Sequence, residues 1–127
     1  MDLKELKELL SAHRYYSLKD PDKELHYHFE LREATNLEHL EFRQRSAKVK
    51  VRNGKIESSV EASNAPLWLL DKIKVKVECS NGTSERVEVP DDMFLDINER
   101  VRMQVINRYL LATEGEEAEV QKNSQGS

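Results

Sequence analysis

Cysteine and long apolar runs are scarce in this chain, and each scarcity excludes a class of protein. Cys79 is the one cysteine and has no partner for an internal disulfide, which excludes the disulfide-rich scaffolds of small secreted proteins. The longest wholly apolar run, residues 65–70, is far too short for a membrane span, and no apolar signal segment follows Met1. We therefore expect a cytoplasmic protein that does not bind a membrane.

Glycine is also scarce, and with it the motifs that carry common chemistries. The sequence contains no glycine-rich phosphate loop, no serine or cysteine elbow, no Cys-x-x-Cys pair and no carboxylate motif of recognisable spacing. We therefore expect no cofactor. Whether the protein is an enzyme stays open, and a non-enzymatic role is preferred.

What the chain does have is charge: 35% of its 127 residues are charged and 38% are apolar. This length and composition suit one soluble domain with a thin core. Residues 1–112 are predicted to form that domain. Residues 113–127 lack apolar side chains able to pack, which predicts a disordered acidic and polar tail.

The charge is distributed unevenly. Between Arg43 and Lys76 the sequence has nine basic and three acidic residues, although the whole chain carries a net charge of −4. A positive centre within an acidic chain weakens any functional argument from the overall isoelectric point.

Apolar spacing predicts the first elements. Residues 2–13 have leucines at helical spacing, and residues 17–23 have the turn chemistry of a loop. Apolar and polar residues then alternate over 25–31, which is typical of a strand. A second strand is predicted to begin near Glu38. A β-bulge or break is expected near Arg45, because the inward-facing apolar residues are at even positions before it and at odd positions after it.

Two Asn-Gly pairs predict β-hairpins. A two-residue loop at Asn53-Gly54 places Val51 opposite Ile56 and Lys50 opposite Glu57, which keeps the valines on one face. The same alignment would also place Ala47 opposite Val60. For the second pair, a three-residue loop over 80–82 keeps the faces separate, and it places Val75 opposite Val87, Ile73 opposite Val89 and Lys74 opposite Glu88.

The final element is a helix that starts after Pro90 and has a broad apolar stripe. The stripe contains Phe94, Ile97, Val101, Val105 and Tyr109. The predicted fold is therefore α+β: a five-stranded antiparallel, meander-like sheet with one face covered by an N-terminal and a C-terminal helix.

Basic residues of the two hairpins are expected to share the outer face of this sheet, where they would suit a nucleic acid or another polyanion. The alternative is a solvated face whose lysines oppose aggregation. The residues concerned are Lys48, Lys50, Arg52, Lys55, Lys72, Lys74, Lys76 and Arg86.

The apolar run at 65–70 predicts either a buried corner or a contact surface. Trp68 and Leu70 are the candidate partner-binding residues, since exposed aromatic patches seldom persist in monomers. Our first functional hypothesis is a non-enzymatic protein-interaction module that self-associates through this corner and the polar outer face of the sheet. A polyanion-binding protein is the alternative.

A third hypothesis is a metal-binding protein or enzyme. His26 and His28 lie two residues apart on one strand face, and a third ligand would be His39 or Glu30. Histidines that face water are the simpler explanation for the same pattern.

Overall fold

The structure, a computed structural model, describes residues 1–10, 13–82 and 85–125. Its elements follow one another as α1 (Leu3–Leu10), β1 (His13–Lys19), β2 (His26–Arg32), α2 (Asn36–Ser46), β3 (Val49–Arg52), β4 (Lys55–Ser58), α3 (Val60–Ile73), β5 (Lys74–Ser80), β6 (Val87–Glu88), a 3₁₀ helix (Asp91–Asp96) and α4 (Glu99–Gln125).

The fold is α+β with antiparallel strands, but the strands form two sheets and not the single five-stranded sheet predicted. One sheet has four strands in the order β1-β2-β5-β6, and the other consists of β3 and β4 alone. The meander is therefore interrupted between β2 and β5, where α2, β3, β4 and α3 form an excursion from the main sheet.

The alternation over 25–31 is confirmed in β2. Tyr27, Phe29 and Leu31 are buried, whereas the residues between them are only partly covered. The buried row faces α3 and α4, whose side chains complete the core: Leu69, Leu70, Ile73, Val101, Val105, Ile106 and Tyr109. The five residues of the predicted C-terminal stripe are buried as expected. They do not share one helix, however, because Phe94 lies in the 3₁₀ helix and Ile97 precedes the start of α4 at Glu99.

The described leucines of the N-terminal helix do not cover the sheet as predicted. Leu3 and Leu6 remain 67% and 40% exposed, and α3 lies where this helix was expected. Residues 11 and 12 of the predicted helix lie outside the described residues, and His13 already belongs to β1. The predicted loop over 17–23 is shorter, because β1 continues to Lys19.

The strand predicted near Glu38 is wrong, because residues 36–46 form α2. Thr35 starts this helix with a capping box, in which its hydroxyl accepts from the Glu38 amide and the Glu38 carboxylate accepts from the Thr35 amide. No β-bulge is needed at Arg45, because Leu40 and Phe42 lie in α2 whereas Val49 and Val51 lie in β3, so the two groups never shared a strand.

The run at 65–70 is also helical. Ser59 caps α3 by accepting from the Ala62 amide, and Pro66 lies inside the helix. The buried residues of α3 recur at helical spacing: Ala65, Leu69, Leu70 and Ile73. This spacing includes odd and even positions, which explains why the run has no alternation of apolar and polar residues.

The first hairpin has the predicted register, with Val51 opposite Ile56 and Lys50 opposite Glu57. Asn53 and Gly54 have φ values of 52° and 78°, as a type I′ turn requires. The pairing ends at Val49, because Val60 begins α3 and does not pair with Ala47.

The second hairpin has a different register from the one predicted. Cys79 lies opposite Val87 and Glu78 opposite Glu88. Since β5 ends at Ser80 and β6 begins at Val87, the strands are connected by residues 81–86 instead of 80–82, and residues 83 and 84 of this connection lie outside the described residues. Ile73 ends α3 and cannot pair with Val89, whose amide donates to the Val77 carbonyl at 2.8 Å.

The C-terminal helix continues beyond the predicted domain boundary. α4 extends to Gln125, while the side chains beyond Thr113 and the whole of residues 126–127 lie outside the description. The division at residue 112 stays a prediction. In the described part of the chain, no helix has the length and apolar content needed to cross a membrane.

Arg32 joins three elements at one end of the sheet. Its guanidinium donates to both carboxylate oxygens of Glu38, at 2.7 and 2.8 Å, and to the carbonyl of Lys72 at 2.8 Å. The side chain therefore holds the start of α2 and the end of α3 against β2.

Protonation of Glu38 is expected to weaken this junction. The hydrogen bonds from Arg32 are the main reason that the pKa of Glu38 is about 2 and not its ordinary 4.5. Because the folded-state pKa is the lower one, the stabilisation is fully present above the ordinary value and is lost as the pH falls from 4.5 towards 2. We expect E38Q to lower the free energy of unfolding at neutral pH by about 1–3 kcal/mol, measured by urea denaturation. The difference from wild type should shrink in acid.

Glu41 offers a matched control on the same helix, because its pair with Arg45 is half exposed. E41Q should change the free energy of unfolding by no more than about 0.5 kcal/mol. Equal effects of the two variants would show that Arg32 does not carry the junction.

Candidate functional site

The β3–β4 hairpin, residues 49–58, projects from the fold and is here called the arm. Val49, Val51 and Ile56 lie on one face and are 57%, 69% and 75% exposed. Lys50, Arg52, Lys55 and Glu57 lie on the opposite face and are exposed as well. The arm is therefore an amphipathic two-stranded ribbon with neither face covered.

The base of the arm, here called its root, is held by polar contacts, whereas the strands of the arm are exposed. The Lys48 carbonyl accepts from the Ser59 hydroxyl at 2.9 Å, and the Lys48 ammonium lies 2.8 Å from the Glu61 carboxylate. Hydrogen bonding from Lys48 lowers the pKa of Glu61. Arg45 completes the root by stacking on Trp68, with 4.5 Å from the guanidinium carbon to the ring centre. These contacts hold the arm where α2 meets α3.

Four cations at the arm have no ion pair within residues 1–10, 13–82 and 85–125. They are Lys50, Arg52 and Lys55 on the arm itself and Arg43 in the last turn of α2. Because Glu57 is the one acidic residue between 49 and 58, the cationic face retains a net positive charge.

The other predicted polyanion-binding residues lie elsewhere. Lys72 is on α3. Lys74 is held by Asp71 and Asp91, with its ammonium 4.7 Å from the centre of the Phe94 ring. Lys76 and Arg86 both lie within about 4 Å of Glu78. The structure therefore does not bring the eight residues together on one sheet face, because the two hairpins belong to different sheets.

The two residues of the predicted contact corner, Trp68 and Leu70, lie in different environments. Leu70 has no exposed surface and packs in the core, whereas Trp68 is partly buried beneath Arg45. Leu70 is thus unavailable to a partner while the chain is folded, and a contact role for Trp68 stays a prediction.

Of the predicted metal ligands, His39 is separated from the other residues, whereas Glu30 lies on the same face of β2 as His26 and His28. His26 and His28 lie on the outer face of β2, while His39 is on α2. Burial is the main reason that the pKa of His28 is lowered, with the Arg86 charge as a further cause. The imidazole Nδ1 lies 2.9 Å from the Ser17 hydroxyl. Among the residues that the structure describes, no group of three or more potential ligands could hold a metal ion.

An apolar groove of about 600 Å³ lies between the sheet and the 3₁₀ helix, and sequence reasoning did not find it. Tyr27, Cys79 and Val87 form its floor as one row across β2, β5 and β6. Met93 contributes to its wall and is 51% exposed. Burial raises the pKa of the Cys79 thiol, so this cysteine is not activated as a nucleophile. The described lining of the groove is mainly apolar and contains no catalytic groups of recognisable arrangement.

Leu70 and Leu37 provide a test of which leucines support the fold. Leu70 is fully buried and Leu37 is 77% exposed. We expect L70A to lower the free energy of unfolding by about 2–5 kcal/mol, because it leaves a cavity. L37A should cost about 0.5 kcal/mol or less. Chemical denaturation measures both, and a small cost for L70A would contradict its assignment to the core.

Comparison with protein-family models, with curated proteins and with solved structures finds no match to this chain.

Proposed function

We propose that the protein is a non-enzymatic protein-interaction module that self-associates through its arm. The observation that supports this proposal is the exposure of Val49, Val51 and Ile56 by more than half on a ribbon whose described side chains are all exposed.

An isolated two-stranded hairpin is at best marginally stable in water. The arm keeps its apolar face uncovered, so a partner that covers this face would stabilise the ribbon as well as bind it. Full burial of an aliphatic side chain of this size contributes about 1.5–3 kcal/mol. Three such side chains offer about 4.5–9 kcal/mol at most. This is of the same order as the cost of association, so the surface that receives the arm must add contacts of its own.

The arm is also rigidly rooted, which favours a role in recognition. The Lys48, Ser59 and Glu61 contacts fix its base, and Arg32 fixes the helices that carry it. Less conformational entropy is therefore lost on binding than for a flexible segment of the same length.

Placing charge on the apolar face of the arm should abolish self-association. In sedimentation-velocity experiments over a range of concentrations, we expect the wild type to form a species larger than a monomer and V51D/I56D to remain monomeric. Aspartate cannot be buried in an apolar interface without a large desolvation cost.

Leu37 and Leu111 provide the matched control, since they are 77% and 68% exposed away from the arm. L37D/L111D makes the same change of net charge and should retain the wild-type behaviour. A wild-type chain that is monomeric at all concentrations would exclude self-association.

A second candidate function, polyanion binding, is supported by four cations at the arm that form no ion pair with the described residues. A two-stranded antiparallel ribbon fits the major groove of duplex DNA. Lys50, Arg52 and Lys55 share one face of this ribbon, where they could contact phosphates.

This candidate predicts binding that depends strongly on salt. If the cationic face contacts phosphates, the affinity for a labelled DNA duplex should fall with salt, and K50E/R52E should reduce the slope of log K against log salt by about 2. Fluorescence anisotropy measures the slope. The control is K72E, which reverses an exposed lysine on α3. Absence of binding at low salt would exclude the candidate.

A further inference from the structure

We propose that two copies of this chain associate edge to edge, with β4 of one arm pairing antiparallel with β4 of the other about a two-fold axis between their Ile56 residues. This inference rests on the proposed function, because it names the part of the arm that makes the contact. Since β3 and β4 form a sheet of their own, the joined arms would form one four-stranded ribbon in the order β3-β4-β4-β3.

The backbone of the arm has hydrogen-bonding groups directed outward at both edges. The type I′ turn links Arg52 and Lys55, which therefore form a hydrogen-bonded pair. Hydrogen-bonded and non-hydrogen-bonded pairs alternate along an antiparallel ribbon. Val51 and Ile56 thus form a non-hydrogen-bonded pair, and their amides and carbonyls point away from the ribbon. No strand other than β3 and β4 belongs to this sheet in the described part of the chain, so both edges are templates for another strand.

The charges of β4 make its edge complementary to itself. Lys55 and Glu57 flank Ile56 in the sequence, and both lie on the face opposite to it. Antiparallel pairing about Ile56 places Lys55 of each copy opposite Glu57 of the other, which gives two pairs of opposite charge. Both side chains are exposed, and neither forms an ion pair with another described residue. On the other face, Ile56 of one copy lies beside Ile56 of the second.

The other pairings of the same edges are less favourable. Pairing β3 with β3 about Val51 would place Lys50 opposite Arg52 twice, and like charges at opposed positions are destabilising. Pairing β3 with β4 would repeat the register of the arm itself. It would give one pair of opposite charge, Lys50 with Glu57, and one of like charge, Arg52 with Lys55. That contact is also head-to-tail, so it does not by itself close into a dimer.

Edge pairing adds polar contacts to those of the aliphatic side chains. The outward amide and carbonyl of Ile56 exchange two hydrogen bonds with the same groups of the second copy. The tip of each arm then lies beside the root of the other, with Gly54 opposite Ser58. Apart from its chain neighbours, no described atom lies within 4 Å of where a Cβ would stand on Gly54. Val60, which follows the root, is 78% exposed, so both parts of the edge are accessible.

Charge reversal on β4 tests the pairing. K55E would place two glutamates opposite each other at both ends of the contact, and we expect it to raise the dissociation constant of the dimer at least about tenfold at low salt. Sedimentation velocity measures this constant. Within the arm, K55E replaces a like-charge pair with Arg52 by a pair of opposite charge. A loss of association therefore does not arise from loss of the arm.

The reverse substitution E57K should weaken the dimer in the same way. The double variant K55E/E57K keeps the wild-type net charge and restores both pairs, so it should associate like wild type. An equimolar mixture of K55E and E57K should form a mixed dimer for the same reason. K72E and E85K are the controls, since they reverse exposed charges away from the arm. Wild-type association of K55E, or no association in either the double variant or the mixture, would overturn the inference.

Disulfide trapping tests the register without a change of charge. Opposed residues of a hydrogen-bonded pair have Cα atoms about 5.5 Å apart, which suits a disulfide. We expect I56C to give a 56–56 linked dimer under mild oxidation, identified by mass spectrometry. V51C is the matched control, because Val51 shares the face of Ile56 and its exposure. The two copies of residue 51 would lie three strand spacings apart, about 14 Å. The 56–56 link should form at least about tenfold faster than the 51–51 link.

The outcomes separate this inference from the proposed function. If 51–51 links or links to Cys79 dominate while V51D/I56D is monomeric, the arm mediates self-association and the edge of β4 is not its contact. Wild-type association of K55E together with a monomeric V51D/I56D leads to the same conclusion. If the wild type is monomeric at all concentrations, or if V51D/I56D associates like wild type, the proposed function itself fails.

Discussion

The bond network of Arg32 is the constraint on which the rest of the structure depends. One guanidinium satisfies the Glu38 carboxylate and the Lys72 carbonyl, and these groups lie at the start of α2 and near the end of α3. Since the arm connects the other ends of the two helices, its direction is set by a side chain on β2. A polar contact at the edge of the core thus helps to position the arm, which is not part of the core.

Features determined by local periodicity were predictable. The alternation in β2 and the apolar spacing of Val101, Val105 and Tyr109 in α4 follow from side-chain spacing within one element. The register of the first hairpin follows from the spacing on either side of one turn. The strand predicted in place of α2 was wrong because Leu40 and Phe42 alone suggested a period of two. Thr35 and Glu38 carried the opposing signal of a capping box, which the sequence contained.

The candidate site depended on features that spacing does not encode. Lys50 and Lys76 are both at even positions, and alternation would place them on equivalent faces only if their strands belonged to one sheet. They do not, because β3 and β4 form a sheet separate from the main one. The groove depends on the brevity of β6 and on the 3₁₀ helix that follows it. Both are outcomes of tertiary packing, and the second Asn-Gly pair did not reveal them.

The excursion between β2 and β5 also bears on how this chain can change. The antiparallel pairing of β2 with β5 closes residues 33–73 into a loop whose far end is the arm. The entropy cost of closing a loop grows slowly with its length, at about 0.6 kcal/mol for each doubling. Residue pairs added to both strands would extend the ribbon by about 3.3 Å per pair and leave the buried residues where they are. The reach of the arm is therefore a property that can be altered independently of the core.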